Sequence, residues 1–179
     1  MAGGVGFLHH LTSAAQAVKH IITTFGDDPG IDEDDVFFFN DSYTAALHPP
    51  DVYLISPIHH EGELTGFVAN FVHVTDIGAV DPGGFSPNAR DNFQEGVQTK
   101  GLKIVEGGKP RRDILETFLN MVRAPGLSSG RVTELPESES VGVQQPAVVR
   151  TIFETEDGDG RRLAVALCGV EDDRQVAIG

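Results

Sequence analysis

The chain has 179 residues, room for one ordinary domain with a small appendage. Thirteen Lys and Arg stand against 27 Asp and Glu, a formal net charge of -14 that repels phosphate backbones and anionic lipid. Nucleic acid and membrane surface are therefore excluded as expected partners, and no run approaches the ~18 to 20 apolar residues of a membrane span.

Hydrophobic residues make up 40% of the chain, enough for a packed core. The single cysteine, Cys168, excludes an internal disulfide framework and suits a reducing compartment. The first twenty residues lack the early basic residues of a secretory signal, so the expected location is the cytoplasm.

The first predicted element is a helix over 13–25. Ser13 and Gln16 have the spacing of a capping box, and Leu11, Ala14, Val18, Ile21, Ile22 and Phe25 recur at helical intervals. Gly26 and "DDPG" stop it. "VFFFN", 36–40, is short and continuously apolar, as a strand buried on both faces is. "DVYLISPI", 51–58, and "ELTGFVANFVHV", 63–74, predict two strands joined by a hairpin turn at "HHEG", with Gly66 marking a bulge. His59 and His60 fall in that turn and read as solvated, while His9, His10 and His20 read as surface or helix-face residues.

Residues 78–110 read as a long glycine-rich loop with turns at "DPGG" and "EGGKP". A second helix is predicted over 111–123, with Pro110 just before or at its start and Ile114, Leu115, Phe118, Leu119 and Val122 on one face. The composition then shifts: 127–146 is rich in Ser, Glu, Gly and Pro and reads as a linker. "AVVRTIFETEDGDGRRLAVALCGV", 147–170, predicts a β-hairpin turning at "DGDG". The fold class that follows is α+β: a mixed or antiparallel sheet with two helices and a long Gly-rich loop, plus a C-terminal hairpin.

Two pairs of equal spacing stand at the predicted strand ends, His48-x-x-Asp51 and His73-x-x-Asp76. Asp51 opens one strand and His73 closes its hairpin neighbour, so the pairs fall at one end of the same ribbon. Two imidazoles and two carboxylates suit Mn, Fe or Zn better than Ca or Cu(I). Turn chemistry alone also accounts for His and Asp at strand ends, and no standard metal motif is met. Asp41, beside Asn40, suits either a carboxylate that orients a ligand histidine or a turn that caps its own backbone. No GxGxxG occurs, and "EGGKP" lacks the Gly-Lys-Ser/Thr of a phosphate loop.

The central block resembles the hydantoinase B/5-oxoprolinase family, which includes large subunits of ATP-dependent ketone carboxylases. The resemblance rests on Asn40, Asp41 and Tyr43, then His48, Pro50 and Asp51. Ala69, Asn70, His73, Asp76 and Gly78 follow, and then Phe93, Gln94, Glu95 and Gly96. Ser42 stands where family members usually carry Pro, which removes a fixed φ from the turn.

The resemblance covers about residues 11–123 and implies His48, Asp51, His73 and Asp76 as ligands of a divalent metal. It implies a B-type subunit that completes ATP-dependent ring opening of a cyclic amide such as a hydantoin or 5-oxoproline. ATP would be used by a hydantoinase A-like partner subunit. ATP-dependent ketone carboxylation is the alternative within the family.

Family subunits run to several hundred residues, so the expected organisation is a partial family domain over 1–126, the linker over 127–146, and a hairpin segment of unassigned family over 147–179. Activity of so short a chain on its own is not expected, and a truncated, non-catalytic remnant is the opposing reading.

Overall fold

The computed structural model describes residues 8–123, 149–156 and 162–169, the last two as backbone. Helix α1, Leu8–Phe25, buries Ala14, Ala17, Val18 and Ile21, whose spacing of three and four places them on one stripe. Strand β1, Val36–Phe39, is the centre of the molecule. Phe37 and Phe39 join α1 in one core, and Phe38 faces the opposite way into a second. Each fully buried Phe contributes roughly 1.5–3 kcal/mol, so three in a row make β1 the spine of both cores. Two-sided burial is the physical reason that "VFFF" is unbroken by polar residues.

Strands β2, Asp51–His60, and β3, Glu63–His73, form the hairpin predicted from their apolar runs. Glu61 and Gly62 turn it with φ of 52° and 82°, both left-handed, as a two-residue turn matched to strand twist requires. The remaining elements are β4, Leu102–Glu106; β5, Lys109–Pro110; α2, Arg112–Leu119; β6, Val149–Glu156; and β7, Arg162–Gly169. The strands lie in one sheet of order β5-β4-β1-β2-β3-β7-β6. Every pairing is antiparallel except β3 with β7, so the sheet is mixed and the fold is α+β. α1 covers one face; Phe118 of α2, with Val122 beyond it, covers the other against Phe38, Val52, Ile77 and Ile104.

A buried ion pair ties the start of β1 to β4. Lys103 Nζ lies 2.7 Å from Asp35 Oδ2, and both side chains are almost wholly enclosed. Asp35 also accepts the amides of Asp32 and Gly107, each at 2.9 Å. Two amide donors and a neighbouring ammonium are what let a carboxylate persist inside a core.

Several sequence-based boundaries move. α1 begins at Leu8, not 13, because Ser13 does not cap it. The Ser13 hydroxyl sits inside the helix, 2.7 Å from Tyr53 Oη and 3.3 Å from the His10 carbonyl. His59 and His60 belong to β2, paired with Leu64 and Glu63, and not to the turn. The bulge falls at Thr65, beside Gly66, since Ile58 pairs with Gly66 and His59 with Leu64.

The glycine-rich stretch carries β4, whose Ile104 and Val105 enter the second core between flanking glycines. Pro110 pairs with Val105 in β5 and lies just before α2, whose N-cap is Arg111; the helix ends at Leu119 although Val122 still packs as expected. The C-terminal hairpin forms from β6 and β7. Its "DGDG" turn and the 127–146 stretch lie outside the described residues. No described helix is long and apolar enough to cross a membrane.

Candidate metal centre

Two local devices bring the site residues together. In the His48-Pro49-Pro50-Asp51 step the Asp51 amide donates to the His48 carbonyl at 3.0 Å, a tight turn that Pro49 favours by fixing φ at its second position. The fully buried Asn40 holds this turn from behind: its Nδ2 donates to the carbonyls of Pro49 and Val97, both at 2.8 Å, and its Oδ1 accepts the Thr99 amide at 2.7 Å. The second device is register. Asp51 and His73 face each other across the β2–β3 ribbon, and the Val74 amide donates to the Pro50 carbonyl at 2.9 Å.

The result is a cluster of His48, Asp51 and His73 whose donor atoms all lie within 4.8 Å of one another. His48 and His73 meet edge to face, ring centroids 5.0 Å apart. Asp51 is buried; its Oδ2 lies 3.5 Å from His48 Nε2 and 3.8 Å from His10 Nδ1 and accepts no hydrogen bond. The buried Nδ1 of His48 likewise has no hydrogen-bond partner. A buried carboxylate oxygen without a donor is costly unless a cation meets it, so these orphaned atoms fit a divalent metal.

Asp76, the fourth residue of the expected set, stands outside this cluster. Its Oδ1 accepts the Gly78 amide at 2.7 Å, and Arg123 Nη1 reaches both carboxylate oxygens at 3.1 and 2.8 Å. Burial raises the Asp76 pKa, but the Gly78 amide, Arg123 and the Gly83 amide outweigh it and hold it below the usual carboxylate range. Asp41 is buried, and its carboxylate accepts the Thr44 hydroxyl at 2.6 Å while its carbonyl accepts the amides of Ala45 and Ala46. It closes its own turn. Ser42, lacking proline's fixed φ, is held instead by Gln98, whose Oε1 accepts its hydroxyl at 3.0 Å.

Three contributors escaped the sequence reading. His10 is buried against the site, stacked on Phe71 at 4.1 Å, with Nδ1 3.3 Å from Tyr53 Oη. Its place four residues before Ala14 and seven before Ala17 is the signal that puts it on the inward stripe of α1. Gly84 backs His73 so closely that a Cβ there would meet the ring at 2.7 Å. Arg123 follows α2 and reaches back to Asp76 and to the Ala79 carbonyl. No spacing rule announces the last two, because both contacts cross the fold.

Tyr53 sits behind Asp51, and burial, only partly offset by Ser13, pushes its pKa up to about 12. The free phenol has a pKa near ~10. Folding therefore favours the protonated phenol: this contribution is complete below pH ~10 and is lost as pH rises towards about 12. An ultraviolet titration should show one of the two tyrosines ionising late and together with loss of the fold. Both ionising near ~10 with the fold intact would contradict that burial.

Beside the cluster opens a cleft of about 320 Å³, walled by His48, Pro49, Pro50, Gly84 and Phe85, with Glu95 on its rim. The chain's likeness to known proteins takes in this region. The hydantoinase B/oxoprolinase family model matches residues 1–134. The chain is 33% identical over 126 residues to the acetophenone carboxylase delta subunit of Aromatoleum aromaticum, covering 70% of this chain and 18% of that one. It is 32% identical over 133 residues to the caprolactamase subunit beta of Pseudomonas jessenii, covering 74% and 22%.

A nucleotide-free structure of acetone carboxylase, from work on ATP-dependent acetone carboxylation, superposes with a TM-score of 0.64 at 31% identity, over 69% of this chain and 16% of that one. The chain thus spans about a fifth of the length of these relatives. With the match running through β1, the His48–Asp51 turn, the β2–β3 ribbon and α2, the chain belongs to the hydantoinase B/oxoprolinase family.

Proposed function

We propose that this chain supplies the metal-binding part of a B-type subunit for ATP-dependent ring opening of a cyclic amide such as a hydantoin or 5-oxoproline. The observation that carries the reading is the convergence of His48, Asp51 and His73 within 4.8 Å, inside the segment the family model matches. Two imidazoles and one carboxylate would hold Mn, Fe or Zn. When bound, such an ion polarises a carbonyl or phosphoryl oxygen and stabilises the charge that develops there.

The chain's own residues do the rest of the local work. These histidines would bind a metal through deprotonated ring nitrogens and Asp51 as the carboxylate, the forms in which each residue type is a ligand. Asn40 fixes the turn that sets His48 beside Asp51. Pro49, Pro50 and Phe85 wall the cleft with apolar surface and keep water from one side of a reacting group.

ATP enters through a hydantoinase A-like partner, consistent with relatives named as subunits of larger enzymes. Because the chain spans about a fifth of those relatives, substrate-positioning walls come from elsewhere, and orientation is worth up to ~7 to 11 kcal/mol of a barrier. The relatives named as ketone carboxylases favour a second reading, ATP-dependent carboxylation of a ketone.

The test is ATP-dependent opening of hydantoin and of 5-oxoproline, run with the chain alone and with a hydantoinase A-like subunit. Turnover is expected only with the partner. Turnover by the chain alone contradicts the division of labour. Fixation of bicarbonate onto a ketone, with no ring opening, selects the second reading.

A further inference from the structure

We propose that Arg123, acting through Asp76, is a positioning residue for His73, and that it does so by fixing the Gly78–Gly84 turn on which the imidazole rests. This rests on the reading of His48, Asp51 and His73 as a metal site. The chain of contacts is short. Arg123 Nη1 donates to both oxygens of Asp76, at 3.1 and 2.8 Å, and Nη2 donates to the Ala79 carbonyl. Asp76 in turn accepts the amide of Gly78 at 2.7 Å and, more weakly, that of Gly83 at 3.4 Å. One buried carboxylate therefore ties both ends of the turn, and one guanidinium ties that carboxylate to the end of α2.

The next residue, Gly84, forms the floor under His73. A Cβ on Gly84 would come within 2.7 Å of Cε1 and 3.2 Å of Nε2 of the His73 ring. Backbone and ring are in contact with nothing between them, so a displacement of the turn by a few tenths of an ångström is passed to the ring. His73 is exposed by area, and so depends on these near neighbours for its ring position more than on core burial. The donor atoms of the site need placement within about 0.2 Å, finer than loop packing alone maintains. Arg is suited to hold the turn, because its planar fork engages two carboxylate oxygens and a carbonyl at once, where Lys offers a single point charge.

The experiment uses Mn²⁺ alone as the probe, titrated against the full chain and followed by the electron paramagnetic resonance of the free ion. Arg123→Met is expected to weaken Mn²⁺ binding about 10- to 100-fold, the usual effect of removing a partner that orients a ligand. Arg123→Lys should recover part of the loss. Gly84→Ala leaves the ion pair intact and should weaken binding in the same direction, so the proposal stays testable if Arg123→Met folds poorly. Wild-type affinity in folded Arg123→Met overturns the proposal. So does a lowered Tm with unchanged affinity of the folded fraction, which marks a merely structural ion pair. Failure of the wild type itself to bind Mn²⁺ sinks the metal reading but not this one. The ring resonances of His73 in the metal-free protein then decide: a shift in Arg123→Met supports positioning, and unchanged resonances overturn it.

Discussion

Replacing His73 with alanine is expected to weaken divalent-metal binding by more than about 100-fold while leaving the fold intact. Even partners outside the ligand shell typically cost 10- to 100-fold in affinity, so loss of one of three donors must cost more. His73 is the donor that register delivers: it lies opposite Asp51 and its ring meets that of His48. Without it, His48 and Asp51 form a two-residue set held by one turn, too few to displace water from an ion. Its exposure predicts a stability change within about 0.5 kcal/mol, the range for surface substitutions. His60→Ala, at the far end of β2, is the control and should bind metal as wild type does. Equal affinity in all three proteins, by isothermal titration with Mn²⁺ or Zn²⁺, would show that the cluster is not a site.

The largest expected effect on stability is at the pair between Asp35 and Lys103. Asp35→Ala should destabilise the protein by about 3–5 kcal/mol, because it leaves a buried ammonium with only the exposed Asp32 carboxylate, 3.6 Å away, as counter-charge. Lys103 Nζ is also 5.6 Å above the Phe37 ring, so the stranded charge would sit against the spine of the core. The same change removes the acceptor of the Asp32 and Gly107 amides. Replacing both partners by apolar residues of similar size, Asp35→Leu with Lys103→Met, should recover much of the loss, since a buried pair is not in itself worth much against good packing. Urea unfolding of the three proteins measures this. A double variant as unstable as Asp35→Ala would show that the amide contacts, not the charge, dominate.

Local pattern made most of the architecture legible. The unbroken "VFFF" run, the apolar hairpin strands and the apolar stripe of α2 each reflect which faces are buried, and burial is what hydrophobic patterning records. The failures have a common cause. Ser13 had cap chemistry, but Tyr53, forty residues away, claimed its hydroxyl. β4 was hidden because its five residues are flanked by glycines that signal turns, and its strand identity comes from pairing with β1.

The site divides in the same way. His48 and Asp51 are joined by a four-residue turn, and hairpin register sets His73 opposite Asp51, so their proximity was legible in spacing, while a role as ligands was only implied by the resemblance. Asp76 shares that spacing, yet Arg123, forty-seven residues on, holds its carboxylate. His10 was legible in helical phase, but its neighbour Asp51 was not. Tertiary partners chosen across the fold are what local rules omit.

The function proposed for this chain depends on one ion lying between His48, Asp51 and His73. Anomalous diffraction at the metal absorption edge, on the protein loaded with Mn²⁺ or Zn²⁺, locates that ion directly. A single peak is expected within about 2.0–2.2 Å of a nitrogen from each histidine and an oxygen of Asp51, with none at the far end of the β2–β3 ribbon. A peak elsewhere, or none at the cluster in fully loaded protein, would contradict the metal site.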